Sequence, residues 1–170
     1  MKNFRNLMCC AMLGCAVMLV TSSAKAQDDS DKKFLATAAQ GDQNEIALSK
    51  LAEQKATNPD VKAFAEKMVT EHTQLDESMQ PFVQQWGLTA PTGPDADHQK
   101  EWDKLNGLSG EAFDKEYMKA MVSDHAKAYR AFSTEVKDTK DTQFQAAVIK
   151  GKAEVAAHKN MAYDLNKKLS

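Results

Sequence analysis

The sequence predicts an all-α fold, a bundle of four long helices with a long connection between the second and third. Beyond residue 31 the chain is rich in Ala, Lys, Glu, Gln and Leu, and runs of β-branched residues are absent. Apolar residues recur there at alternating steps of three and four, which is the period of amphipathic helices. Residues that start and stop helices separate four such segments.

The first long helix is predicted over residues 32–56, where it stops before the sequence TNPD at 57–60. Asn58 can cap the next helix because its side-chain oxygen accepts from free backbone N–H groups. Pro59 fits the first position of that helix, where the missing N–H costs nothing. This junction therefore predicts a short turn between the first two helices.

The second long helix is predicted to end near Trp86, since Gly87 is the expected C-terminal stop. Pro81 lies in its last turns and predicts a kink or an early end. Residues 87–108 then form a turn-rich connection with one short helix predicted at about 98–105.

The third long helix is predicted to start after a capping Ser109 and to run to about Lys137. The sequence DTKD at 138–141 predicts a tight turn. The fourth long helix follows from about residue 141 to the end of the chain.

The start of the chain is typical of a cleaved Sec signal peptide over residues 1–26. Lys2 and Arg5 precede an apolar run at 7–20, and the segment ends with Ala24-Lys25-Ala26. The apolar run is shorter than the roughly 20 residues that a membrane-spanning helix needs. Processing would leave no transmembrane anchor, a flexible leader at 27–31 and a helical domain at 32–170, and we expect the protein in the periplasm.

All three cysteines lie in this predicted signal segment, so the remaining chain has neither disulfides nor thiolate ligands. Cys15 follows the sequence MLG, and lipid anchoring at this residue is a minor alternative. The formal net charge of the chain is −2, and no run of basic residues is present. This charge pattern argues against nucleic acid as a partner.

The predicted inner row of each long helix contains one ionisable residue among apolar or small ones. These four exceptions are Glu45, His72, His125 and His158. Glu45 and His72 lie at about equal distances from the turn near residue 58, so we expect them at the same level. In the other hairpin, His158 is expected about one turn deeper than His125.

A short motif occurs twice around two of these histidines, as MVTEH at 68–72 and MVSDH at 121–125. Buried ionisable groups are costly unless they are paired or bind a metal, and bundles place inward-pointing ligands on different helices. We therefore predict that Glu45, His72, His125 and His158 bind a transition metal, namely Fe, Zn, Mn or Cu. A metal-free polar layer, with Glu45 accepting from two imidazoles, is the alternative.

Six further residues lie near the predicted site, and each has a more ordinary interpretation. The residues are Tyr117, Glu154, Met68, Met121, Glu71 and Asp124. Core packing is favoured for the tyrosine and the methionines over a redox role or copper binding. A solvated position is favoured for the two acids that precede a histidine, over hydrogen bonding to a ligand, and His98 is expected in solvent.

Four segments of the chain together resemble a family of exported bacterial proteins, domain of unknown function 4142. They are FLATAAQGDQNEIALSKLA, NPDVKAFAEKMVTEH, FDKEYMKAMVSDHAKA and EVAAHKNMAYDLNKKL. The resemblance implies a ferritin-like bundle, in which the connection at 87–108 is a crossover and the second and third long helices run parallel. Members are often labelled outer membrane proteins, whereas this sequence has no pattern of alternating barrel strands.

The sequence names no reaction, and a non-catalytic role is favoured over an enzymatic one. The first hypothesis is a periplasmic bundle that binds a metal in metal handling or in envelope or oxidative stress. The second is a non-catalytic interaction or stress protein of the envelope, in which the buried polar layer is structural. The sequence does not identify a protein partner.

Overall fold

The computed structural model describes residues 28–170, which form five α-helices. The helices are α1 (Asp29–Lys55), α2 (Pro59–Gln85), α3 (Ala96–Asn106), α4 (Gly110–Asp138) and α5 (Thr142–Leu169). The predicted signal peptide at 1–26, with Cys15, lies outside the described residues. None of the helices within 28–170 has the length and apolar content that a membrane span requires.

Helix α1 begins earlier than the sequence pattern predicts. The side chain of Asp28 accepts from Ser30 N and caps the helix, so residues 29–31 of the predicted leader are helical. Asp31 is buried and accepts from the hydroxyl of Thr139 at 2.7 Å. This contact holds the start of α1 against the end of α4.

Helix α2 has the predicted start and continues through its proline. Asn58 accepts from Asp60 N and Val61 N, and Pro59 occupies the first turn. An early end at Pro81 is wrong, since α2 runs on to Gln85. Gly87 then adopts a φ of +68°, a left-handed conformation that favours glycine and ends the helix.

Two of the three remaining helix starts are capped by an aspartate. Asp95 caps α3 and Asp141 caps α5, each through two backbone N–H groups. Ser109 is the N-cap residue of α4, but its side chain makes no capping hydrogen bond, contrary to the prediction. The Gly110 that follows has a φ of +57°.

The long helices form two antiparallel hairpins, α1 with α2 and α4 with α5, and the closest packing occurs within each hairpin. Asp114, near the start of α4, accepts from the backbone N–H groups of Thr57 and Asn58 in the α1–α2 turn. Helices α2 and α4 therefore start at the same end of the bundle and run parallel, with α3 in the crossover. The predicted fold class is confirmed. It is an all-α ferritin-like four-helix bundle with a long connection between the second and third long helices.

The core consists of two apolar clusters at opposite ends of the bundle. The lower cluster, near the α1–α2 turn, includes Met68, Tyr117 and Met121. The upper cluster includes Leu75, Phe132 and other residues near the α4–α5 turn. Along α2, α4 and α5 the buried histidines lie between residues of the two clusters, so a polar layer crosses the middle of the hydrocarbon core.

The predicted inner rows are largely buried in each long helix. The α5 row is buried at Phe144, Val148, Gly151, Val155, His158 and Ala162, and it is only partly buried at Leu165 and Leu169. In α1 the buried stripe is wider than predicted and includes Asp42 and Asn44, whereas Gly41 is only partly buried. This helix contacts α2, α4 and the crossover helix α3, so it buries more than one face.

Candidate metal centre

The repeated motifs place two histidines opposite each other in the middle of the bundle. Because α2 and α4 run parallel, MVTEH and MVSDH lie level, as the resemblance implies. The Nε2 atoms of His72 and His125 are 3.3 Å apart. The two residues are 4% and 1% exposed, so this contact is almost fully buried.

The other nitrogen of each of these rings has its own hydrogen-bond partner. His125 Nδ1 donates to the carbonyl of Met121 at 2.9 Å, and a carbonyl can only accept. His125 Nε2 is therefore the unprotonated nitrogen of a neutral ring. His72 Nδ1 lies 2.8 Å from Asp42 Oδ1, a buried carboxyl on α1.

His158 completes a triangle of imidazoles. Its ring centroid lies 5.1 Å from that of His72 and 5.4 Å from that of His125. One nitrogen from each of the three rings lies within 4.8 Å of the others. His158 Nε2 contacts Glu71 Oε2 at 2.6 Å, while its buried Nδ1 has no hydrogen-bond partner.

The rings of His158 and His125 meet, although the residue count places His158 about one turn deeper. Side chains on an α-helix lean toward its N-terminus. His125 therefore leans away from the α4–α5 turn and His158 leans toward it. The two inclinations reduce the difference in depth.

Glu45 lies beside the histidines but not among their converging nitrogens. Its Oε1 is 3.6 Å from His125 Nδ1, the nitrogen already bonded to Met121, and its buried Oε2 has no hydrogen-bond partner. The structure brings His72, His125 and His158 together and leaves Glu45 at the edge of the cluster. Whether any of the four binds a metal stays a prediction.

The acids that precede the two motif histidines are not the solvated residues that the sequence favoured. Glu71 contacts His158, and its side chain is 27% exposed. Asp124 faces His98 Nε2 at 3.6 Å and is 14% exposed. Each acid therefore pairs with a histidine from another helix. For Glu71 the partner is a proposed ligand, as the alternative interpretation has it, whereas the partner of Asp124 is His98, which lies outside the proposed site.

A second group of possible ligands shares His158 with the triangle. Glu71, Glu154 and His158 each offer an atom within 4.8 Å of the others, on the side where α2 meets α5. Lys67 forms an ion pair with Glu71 there. This cluster is partly exposed, so the buried histidines lie close to an acidic surface.

The tyrosine and the methionines near the site belong to the core. Tyr117 is fully buried and shares a hydrogen bond of 2.8 Å with the hydroxyl of Ser49. Met68 and Met121 are also fully buried in the lower cluster. Met121 reaches His125 through its backbone carbonyl. These positions agree with the favoured interpretation as core packing.

The sequence analysis predicted neither the contact of Asp42 with His72 nor the burial of His98. Asp42 precedes Glu45 by three residues on α1, a spacing that could have indicated a shared face. His98 was expected in solvent, but it is partly buried between Asp95 and Asp124. Contact with Asp124 and a hydrogen bond to Asp95 raise the pKa of His98 to about 9, although burial opposes the shift.

Burial makes the imidazoles neutral at physiological pH. Loss of solvation lowers the pKa of His72 to about 4 and that of His158 to about 4, and it also lowers the pKa of His125. The same cause raises the pKa of Glu45 to about 8 and raises that of Asp42. Neutral imidazoles have a free lone pair, which is the form that binds metals.

A continuous hydrogen-bond chain is possible through these groups without a metal. A neutral Asp42 would donate to His72 Nδ1, and His72 Nε2–H would donate to His125 Nε2, which has the free lone pair. His125 Nδ1–H donates to the Met121 carbonyl. A cation bound between the two Nε2 atoms would replace one proton of this chain.

The connectivity and the buried histidines define the protein as a ferritin-like helical bundle with a candidate metal centre in its core. The chain belongs to the family described as domain of unknown function DUF4142, whose sequence profile matches residues 17–165. A search of the curated proteins finds no match to this chain.

Solved structures of similar fold include a DUF305 protein from Streptomyces coelicolor, described as secreted. It has a TM-score of 0.70 and 14% identity, and the match covers 82% of this chain and 92% of that one. CopM in its Cu(I)-bound form has a TM-score of 0.68 and 20% identity, with 81% of this chain and 96% of CopM covered. The Cu(II)-bound form of CopM has a TM-score of 0.69 and 20% identity, and the match covers 82% of this chain and 97% of CopM. At these identities the likeness shows a shared fold.

Proposed function

We propose that this protein binds one transition-metal ion through His72, His125 and His158 and serves in metal handling outside the cytoplasm. The distance of 3.3 Å between the Nε2 atoms of His72 and His125 is the observation that carries the proposal. Two nitrogens at about 2.0 Å from a tetrahedral ion would be about 3.3 Å apart. The buried Nδ1 of His158, which has no hydrogen-bond partner, also fits a missing ligand bond.

The donor set favours copper or zinc over manganese. All three proposed ligands are imidazoles, which suit copper, zinc and iron, while manganese is better matched by oxygen ligands. Copper is the first metal to test, because CopM, a protein of similar fold, is known in Cu(I)-bound and Cu(II)-bound forms. Glu71 and Asp42 would orient His158 and His72, as carboxylates commonly do for histidine ligands.

We further propose that the protein is exported, as the signal pattern at 1–26 indicates. In the periplasm, a neutral three-histidine site with almost fully buried imidazoles would hold a metal ion tightly and with little contact with water. Such a protein would buffer or carry the metal, which is a role consistent with envelope or oxidative stress. A periplasmic fraction that lacks the protein would contradict the export proposal.

Metal titration of the purified protein tests the site. Cu(I), Cu(II) and Zn(II) would be added in the presence of a competing chelator, and bound metal counted by elemental analysis. We expect one ion per chain in the wild type and none in the His72→Ala/His125→Ala double variant. His98→Gln is the matched control, because it removes a histidine outside the triangle and should leave one ion bound.

The alternative function is an interaction or stress protein of the envelope in which the polar layer only fixes how the helices pack. The possible chain from Asp42 through His72 and His125 to the Met121 carbonyl favours this role, since it satisfies these groups without a metal. Absence of stoichiometric metal, with thermal stability unchanged by chelator or added ions, would support it. Equal metal loss in His98→Gln and in the double variant would contradict the site as drawn.

A further inference from the structure

A cavity of about 540 Å³ opens between α1 and α4 and reaches the buried histidines from the side opposite Glu71 and Glu154. Most of its wall surface is apolar and comes in part from Phe34, Ala128 and Phe132, but charged side chains such as Asp95 and Asp124 also line it. His72, His125 and Glu45 also line it. This volume lies in the range of small-molecule sites, which are typically apolar with a few polar groups.

Gly41 keeps one wall of this cavity open. The residue lies in the interior of α1, where glycine lowers helix stability relative to alanine. A Cβ at this position would meet no atom within 4 Å, so close packing does not require a glycine. Gly151 differs, since a Cβ there would lie 2.6 Å from Phe132 Cε1. The space beside Gly41 is therefore part of the cavity.

Glu45 lines the same cavity and has a carboxyl oxygen without a hydrogen-bond partner. The residue is 6% exposed, and its Oε2 is buried without a hydrogen-bond partner. A buried polar atom without a partner destabilises the folded state. A ligand in the cavity would provide that partner.

We propose that this cavity binds a small, mainly apolar organic molecule that carries one hydroxyl group, with the hydroxyl hydrogen-bonded to Glu45 Oε2. The hydroxyl donates this hydrogen bond, because a carboxyl oxygen can accept both in the ionised group and as the carbonyl oxygen of the neutral group. The apolar part of the molecule would lie between α1 and α4, beside Gly41 and against Phe34 and Phe132. The proposal does not depend on the metal, because cavity and carboxyl exist without it.

Calorimetric titration with 4-propylphenol and its methyl ether, 4-propylanisole, tests this site. The two probes have similar apolar surface, but only the phenol can donate a hydrogen bond. We expect the phenol to bind wild-type protein at least tenfold more tightly than the ether. Glu45→Met should remove this preference while leaving ether binding unchanged. No binding of either probe, or equal binding of both by the wild type, would overturn the proposal.

Filling the cavity gives an independent test. Gly41→Leu places a side chain in the open space, and we expect it to weaken phenol binding at least tenfold. Ala146→Leu is the matched control, since it adds the same side chain at an exposed position of α5 outside the cavity. Unchanged phenol affinity in Gly41→Leu would show that the probe binds elsewhere.

The same variants separate this inference from the proposed metal centre. Circular dichroism would verify folding, and metal content would be counted in each sample. One bound ion without phenol binding would overturn the cavity proposal alone. Phenol binding without any bound ion would overturn the metal centre alone.

Discussion

The orientation of each imidazole in the core depends on the partner of its second nitrogen. Asp42 lies against His72 Nδ1, the Met121 carbonyl accepts from His125 Nδ1, and Glu71 contacts His158 Nε2. Two of these contacts join different helices, since Asp42 lies on α1 and Glu71 on α2, whereas the Met121 carbonyl lies one turn before His125 on the same helix. Long-range contacts therefore set the direction of the His72 and His158 rings, and a local one sets that of His125.

Removal of Asp42 should weaken metal binding without unfolding the protein. Asp42→Ala leaves His72 Nδ1 without its partner, so the ring loses both its orientation and part of its basicity. We expect the metal affinity to fall by roughly 10- to 100-fold in a chelator competition assay. Asp164→Ala, at an exposed position of α5, is the control. Unchanged affinity in Asp42→Ala would show that His72 is not oriented in this way.

His98 should make stability depend on pH in the alkaline range. Its pKa is raised from 6.5 to about 9 by contacts with Asp124 and Asp95, so the folded state favours the protonated ring. The stabilisation is complete below pH 6.5 and is lost as the pH rises through about 9. After allowance for partial exposure, we expect a loss of about 1 to 2 kcal/mol.

Urea unfolding at several pH values between 6 and 10 measures this effect. His98→Gln cannot be protonated, so its free energy of unfolding should fall less over the same range. If the free energy of unfolding fell equally with pH in the wild type and the variant, the assigned role of His98 would be contradicted.

At the residue scale, the sequence alone identified the three histidines but not their partners. One ionisable residue per inner row is visible from helical periodicity, and all four predicted exceptions are buried. The contacts of Glu71 with His158 and of Asp124 with His98 depend on rotamers and on the rotation of neighbouring helices. Periodicity does not determine either quantity.

At the scale of helices, alanine substitution of two inner-row glycines should change the free energy of unfolding in opposite directions. Gly41 faces open space, so Gly41→Ala should stabilise the protein by about 1 kcal/mol through helix propensity. A Cβ at Gly151 would lie 2.6 Å from Phe132 Cε1 and 3.1 Å from Leu75 Cδ1. Gly151→Ala should therefore destabilise it by about 1 to 2 kcal/mol through overpacking.

Chemical denaturation of the two variants checks this pair, with each serving as the control for the other. Destabilisation by Gly41→Ala would show that the space between α1 and α4 closes in solution. A stabilised Gly151→Ala protein would show that α4 and α5 can separate slightly at no cost.

Helix boundaries were largely predictable because they depend on local chemistry. Asn58, Pro59 and Gly87 have the predicted positions and roles. The start of α1 was predicted too late, although its cap, Asp28, is local; the contact between Asp31 and Thr139, far apart in the chain, also holds this end. The early end at Pro81 was wrong, because α2 continues through the proline to Gln85.

At the scale of the whole molecule, a bound metal should raise stability by linkage. An ion that binds only the folded protein adds about 2.7 kcal/mol when its free concentration is 100 times Kd. We expect a higher Tm for wild-type protein with copper or zinc than with chelator, measured by calorimetry. The His72→Ala/His125→Ala variant should show no such difference, and an equal rise in both proteins would indicate binding elsewhere.

The overall topology was predictable from the family resemblance rather than from helical periodicity. Periodicity gives four helices but leaves the relative direction of the second and third long helices undetermined. The length of the 87–108 connection permits a crossover, and the contact of Asp114 with the α1–α2 turn shows that one is present. The cavity between α1 and α4 could not be predicted, because it depends on the spacing between the hairpins.

The parallel arrangement of α2 and α4 has a mechanical consequence. His72 belongs to one hairpin, whereas His125 and His158 belong to the other, and contacts between hairpins are less extensive than contacts within them. An ion shared by these residues would cross-link the two halves of the chain near mid-height. Pulling the hairpins apart would then require rupture of a coordination bond, so the force needed to separate them should report whether the ion is present.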